Sequence, residues 1–220
     1  MLHYLQGLLS ALDLTSLLDA VLRVAAIFLC LTVHETCHGL AALALGDPTA
    51  KSMHRLSLNP LRHIDWMGLL MMVTLGFGWA KPVPVDPRYF RKPKQGMAIT
   101  ALAGPVSNFV LALLLLLAAR LVYLRALATG TLPETLFTFL VNTASLSVGL
   151  GLFNLVPVPP LDGSKVVAVL LPDRAYNWLM RYEQFGMVLL VIIISVGIGS
   201  NALDAAIRWV FDLFCRIVGF

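Results

Sequence analysis

Charge is what this sequence has least of. Only 13% of its 220 residues are Asp, Glu, Lys or Arg, 59% are hydrophobic, and the mean hydropathy is +0.84. Soluble domains are nearer half apolar and a quarter charged. Too few charges are present to cover a water-facing surface, which excludes a soluble fold. Glutamate is the scarcest of the charged types: Glu35, Glu134 and Glu183 complete the set. Cysteine is nearly missing too. Cys30, Cys37 and Cys215 fall in apolar segments without a pairing pattern, and read as buried small hydrophobes rather than disulfides. The opening MLHYLQGLLSALDL lacks the basic n-region and small-residue cleavage site of a signal peptide, so it reads as mature protein. No repeat, low-complexity run or long linker divides the chain, and a single domain over 1–220 is expected. The net charge of +4 carries no nucleic-acid signature, because the basic residues are distributed as a topology signal.

What the sequence does have is apolar runs of membrane-spanning length, about 20 residues in a helix. Helices are predicted over 14–45, 97–124 (interrupted at Gly104-Pro105), 133–155 and 185–199. The turn signal Gly46-Asp47-Pro48-Thr49 closes the first. Between the first two lies LLMMVTLGFG, too short to span, followed by WAKPVPVDPRYFRKPKQG. Residues 66–85 are therefore expected to form a re-entrant element, with Val83-Pro84-Val85 as a short strand. In the tail Asp204, Arg208, Asp212 and Arg216 recur every four residues, the pattern of an interfacial helix more than of a fifth span. The fold class is thus an all-α membrane protein with four to five transmembrane helices and a re-entrant or short β element after the first. Lys51, Arg55, Arg62, the five basic residues of 81–94, Lys165, Arg174 and Arg181 fall on one side, which the positive-inside rule makes cytoplasmic.

Into the first apolar run the chain inserts VHETCHG. His34 and His38 lie roughly 16 to 22 Å beyond Arg23 along a helix, inside the membrane profile. Residues i and i+4 share a helical face, so the pair can present two nitrogens to one metal. Glu35 borders that face and is placed to take a proton from a water beside it. Intramembrane ionisable residues are rare and costly without such a role. The bland alternative is two histidines bonded to backbone carbonyls with Glu35 on an arginine. Cys37 sits at the wrong helical angle to join the histidines.

A catalytic zinc usually takes three protein ligands. The extended soluble pattern HExxHxxGxxH fails here, because position 44 is Ala44. Candidates on the same side are Asp47, His54, His63, Asp65, Asp86 and Asp162. Asp162 follows Pro157, Pro159 and Pro160, which unwind the chain, and precedes Gly163. Spacing alone leaves it evenly balanced between a ligand and the N-cap of KVVAVLL.

VHETCHG on an apolar helix, GWAKPVPVDP, AGPVSN and NLVPVPPLDG, in that order over roughly residues 24 to 170, resemble the site-2 protease family of intramembrane zinc metalloproteases. The resemblance is to compact bacterial members, since 125–133 is too short for a PDZ domain and no CBS domain follows 185–199. It implies one Zn2+ per chain on His34, His38 and Asp162, with Glu35 as general base. It further implies that Asn154 holds substrate or steadies the oxyanion, a role an amide donor suits, and that Asn108 is a polar neighbour-helix residue in the same substrate or oxyanion group. An interhelical hydrogen bond is the competing role for Asn108. GWAKPVPV matches an element that receives substrate in extended form. Cys37 stands where the family commonly has Gly.

The function so implied is an endopeptidase cutting transmembrane or signal-peptide-like substrates near the cytoplasmic side of a bacterial inner membrane. Membrane-spanning proteins or peptides and the lipid bilayer are the partners, with no nucleic acid. A water route along Asn142, Thr143, Ser145 and Ser147 is one expectation, and interhelical bonding by the same residues is the other. A non-catalytic membrane metal-binding homologue is the main alternative, but Glu35 is retained. A metal transporter would need ligands in both halves of the membrane, whereas these gather at one end.

Overall fold

The computed structural model describes residues 14–68, 81–197 and 199–220. Among them every regular element is helical. These are α1 (Leu14–Ala44), α2 (Pro93–Thr129), α3 (Glu134–Asn154), α4 (Asp162–Ala168), α5 (Asp173–Val196) and α6 (Ser200–Val218), with short turns at Thr49–Ser52, Pro60–His63 and Pro87–Tyr89. The segments Leu17–Ala44, Pro93–Thr129 and Glu134–Asn154 are long and apolar enough to cross a membrane. At 1.5 Å per residue they reach about 42, 55 and 31 Å. Leu114, Leu117 and Leu121 of α2 and Leu136 and Leu146 of α3 point outward, as on a surface meant for lipid. The chain is an integral membrane protein.

Helix α2 is the hub, packing against α1, α3, α4 and α6. Its expected break at Gly104-Pro105 does not occur: α2 runs unbroken through Pro105. Proline removes one helical hydrogen bond, and packing on several sides holds the remaining turns in place. Pro93 starts α2 in its first turn and Gly130, at φ +73°, ends it with its N–H on the Ala126 carbonyl, 2.8 Å. Ala112, Leu116, Ala144 and Val148 form the buried seam of α2 on α3, where small residues permit close approach.

The tail takes an orientation that its amphipathic pattern did not dictate. Ile207 packs beside Gly149, the Phe214 ring lies 6.3 Å from Phe109, and the Phe220 ring lies 6.2 Å from Tyr123 and 6.1 Å from Phe137. Helix α6 therefore runs lengthwise along α3, antiparallel to it, with Asp204, Arg208, Asp212 and Arg216 exposed on its outer face. A stripe of charge every fourth residue marks which face is wet, and is silent on which surface covers the other.

Of the expected re-entrant element, residues 69–80 lie outside the described residues. Val83-Pro84-Val85 is described and is not a strand. The physical reason lies in its donors: Pro82 and Pro84 have none, and the Val83 N–H goes to the Glu35 carboxylate, 2.9 Å. Thr143 and Ser147 are buried and bonded to the Phe139 and Asn108 carbonyls at 2.6 and 2.8 Å, the first within its own helix and the second across to α2.

Candidate metal centre

Helix α1 brings His34 and His38 one turn apart, their rings perpendicular with centroids 4.5 Å apart. Asp162 arrives from α4. After α3 the chain is unwound by three prolines, with Pro159-Pro160 cis. Gly163 then lets α4 abut the Leu155 carbonyl, where any Cβ would collide with backbone. The Nε2 atoms of His34 and His38 each lie 3.1 Å from Asp162 Oδ2. One ligand atom from each of the three residues falls within 4.8 Å of the others. All three are buried, at 3%, 8% and 9% exposure. The N-cap of α4 is Leu161, without a side-chain cap bond, so the Asp162 carboxylate is not engaged in capping.

The other candidate ligands do not join this cluster among the described residues. Asp47 is wholly buried, accepting from the Thr49 and Asp86 N–H groups at 2.9 and 2.7 Å, and it staples the end of α1 to the strap before α2. His63 Nε2 bonds the Ser57 carbonyl at 2.8 Å. Asp65 accepts from the Gly68 N–H at 2.9 Å. His54 is exposed, at φ +54°. Asp86 pairs with Arg88 at 2.6 Å, and that guanidinium holds its carboxyl below the usual range.

One stripe of α2 backs the histidines, at residues 100, 104 and 108. The Thr100 carbonyl lies 2.6 Å from His38 Nδ1. Gly104 has no side chain, and a Cβ there would overlap both imidazoles. Asn108, wholly buried, sets its Nδ2 3.2 Å from His34 Nδ1. Asn108 thus stands behind a histidine rather than on the cleft wall. The interhelical bond weighed for it is present.

A cleft of about 360 Å³ opens over this cluster, walled by Glu35, Val83, Met97, Asn154, Lys165 and Glu183 among others. Lys165 and Glu183 form an ion pair across it, 3.2 Å. Asn154 lines it, its amide donating to the Leu150 carbonyl at 3.0 Å. Cys37 is half-buried, a free thiol, and not among the cleft residues. Sequence reasoning missed the Val83 N–H, the Thr100 carbonyl and the Lys165–Glu183 pair. Only AGPVSN carried a signal of the backing stripe, and its glycine was read as a break.

Do the residues fit a zinc ion? Two imidazoles and one carboxylate are an ordinary zinc donor set. Both Nε2 atoms converge on the same carboxylate oxygen. The ring space depends on Gly104 having no Cβ, and Asn108 Oδ1 is buried with no partner, as an acceptor waiting for an Nδ1–H would be. They fit.

Such a centre, one three-ligand cation site with a second carboxylate on the adjoining cleft wall, defines a mononuclear metallohydrolase. Residues 125–196 match peptidase family M50. The protein called "Putative zinc metalloprotease YwhC" of Bacillus subtilis is 36% identical over 178 residues, which is 78% of this chain and 79% of that one. The proteins called "Putative zinc metalloprotease Rip2" of Mycolicibacterium smegmatis and Mycobacterium tuberculosis are each 27% identical over 197 residues, covering 87% and 88% of this chain and 73% and 74% of theirs. No solved structure matches. The chain belongs to peptidase family M50, the site-2 protease family, and is a zinc metalloprotease.

Proposed function

We propose that this protease hydrolyses peptide bonds of membrane-spanning or signal-peptide-like substrates, near the cytoplasmic face. The observation that carries the reading is the buried His34–His38–Asp162 cluster, set within apolar helices and opening to a cleft with Glu35 on its wall. Zinc held by those three residues supplies Lewis acidity to the scissile carbonyl and to water. Glu35 takes the proton of the attacking water and delivers it to the leaving amide nitrogen. The Val83 N–H, 2.9 Å from its carboxylate, fixes the orientation in which it does so. Asn154 exchanges its bond to the Leu150 carbonyl for one to the negative charge developing on the carbonyl oxygen.

A substrate carbonyl is exposed only when its helix unwinds, and the segment 81–86 is suited to hold the extended chain. Prolines at 82, 84 and 87 keep the residues before them extended. The Lys81, Val83 and Asp86 N–H groups are taken by the His63 carbonyl, Glu35 and Asp47. Among the described residues the Val85 N–H is left to register a substrate strand. The placement of the cleft toward the cytoplasm rests on the basic residues gathered at the same end: Lys51, Arg55, Arg62, Lys81 and Lys94.

The test is cleavage of a single-span substrate tagged at both ends, reconstituted with the zinc-loaded protein in proteoliposomes. Wild type cuts inside or beside the span. Glu35→Gln loses roughly 10²- to 10⁴-fold in rate, the worth of a general base, while keeping its zinc. A zinc-loaded wild type that cleaves no membrane-spanning substrate overturns the proposed substrate class.

A further inference from the structure

An imidazole that gives Nε2 to a metal carries its single proton on Nδ1, and that proton needs an acceptor to fix the ring. For His38 the acceptor is the Thr100 carbonyl at 2.6 Å. For His34 the group facing Nδ1 is the Asn108 amide, and it presents its donor nitrogen, 3.2 Å away. That arrangement belongs to the tautomer whose Nε2–H donates to Asp162, 3.1 Å away, and whose Nδ1 lone pair accepts. The other half of the same amide, Oδ1, is buried and has no partner. A wholly buried amide with one satisfied end and one orphaned end is costly in a static structure. It makes sense in a group that uses each end in turn.

We propose that Asn108 is a positioning residue for the metal ligand His34, and that its amide turns over with zinc occupancy. When the cation takes Nε2, the neutral ring keeps one proton, now on Nδ1. A half-turn of the carboxamide about its Cβ–Cγ bond then sets Oδ1 to accept it. Oxygen and NH₂ are close enough in size that the pocket need not change. The backbone around the amide is fixed for this purpose, since Ser147 of α3 donates to the Asn108 carbonyl at 2.8 Å. The proposal rests on the zinc reading of the cluster and adds to it a role for a residue that does not touch the cleft.

Zinc affinity measured by competition with a chromogenic chelator, on detergent-purified protein, tests it with no catalytic readout. Asn108→Leu keeps approximate volume and offers no acceptor. Its zinc affinity should fall roughly 10- to 100-fold, the usual cost of losing an outer-shell partner. Asn108→Asp offers acceptors only, and should bind zinc at least as tightly as wild type while melting earlier once stripped of metal. Affinity in Asn108→Leu within about threefold of wild type overturns the proposal. So does an equal loss in both variants, which would mark the amide as a bond between helices and nothing more. Should Asn108→Leu fail to fold, Asn108→Asp decides alone: zinc kept supports the acceptor role, and zinc lost overturns it. Normal zinc binding by wild type in the same titration separates any of these failures from failure of the zinc site itself.

Discussion

Helices α1 and α3 flank two cavities at opposite ends of the bundle, and the two are built on opposite plans. At one end lies the cleft over the histidines, where polar atoms are buried and turned onto one another: two imidazoles, one carboxylate, one carbonyl and one amide within a few ångströms. At the other end the helices part around a larger cavity of about 720 Å³, edged by Asp19, Arg23, Glu134 and Asn142 with Leu22 and Phe139 as walls. Asp19, Arg23, Glu134 and Asn142 are exposed there, and the one buried polar side chain, Thr143, is bonded within its own helix. Polarity in an apolar bundle is therefore a poor guide to chemistry. Burial with mutual contact is the better one, because burying a polar group is costly unless something answers it.

The contrast makes graded demands on experiment. The largest effect belongs to Asp162→Ala, which removes the one anionic ligand. Zinc content should drop from about one per chain to near none, and elemental analysis of the purified protein would show it. A protein that keeps its zinc would move the centre elsewhere. Next comes Gly104→Ala, whose methyl would overlap both imidazoles. Overpacking of this sort costs roughly 1–3 kcal/mol, so weaker zinc binding with slower cleavage is expected. Gly149→Ala is its control on a neighbouring helix. There a Cβ meets only Ile207 at 3.6 Å, an ordinary contact, and metal binding should not change. The smallest effect is expected of Asn142→Leu, which places an apolar side chain in the far cavity. Cleavage and zinc content should match wild type, with stability altered by no more than about 0.5 kcal/mol. Loss of activity there would give the far cavity a part in the reaction.

Much of this was readable from the chain. The first helix was expected over 14–45 and runs Leu14–Ala44; the third was expected over 133–155 and runs Glu134–Asn154. The end of the first, at Gly46-Asp47-Pro48, and both ends of the third, beside Pro133 and Pro157, carry signals that act locally. His34 and His38 had to share a face because helical periodicity leaves no choice. What escaped was settled by neighbours. Gly104-Pro105 looks like a break on propensity, yet the glycine is there for the imidazoles and the helix continues. The polar stripe of α6 reads the same on a membrane surface as along α3, since periodicity names a face but not its cover. Ser147 and Thr143 could equally have lined water. The Ser147 bond to the Asn108 carbonyl depends on where α3 lies, and the Thr143 bond to the Phe139 carbonyl closes within α3 itself.

The backing stripe of α2 has one more consequence. The carbonyl of 100, the gap at 104 and the amide at 108 stand one turn apart on a single rigid rod. Each residue turns a helix by about 100°, so a one-residue slip of α2 would withdraw all three supports from the histidines together. The centre is then an all-or-none reporter of helix register. In a membrane protein whose folding is hard to watch directly, a bound ion would count the correctly assembled bundles.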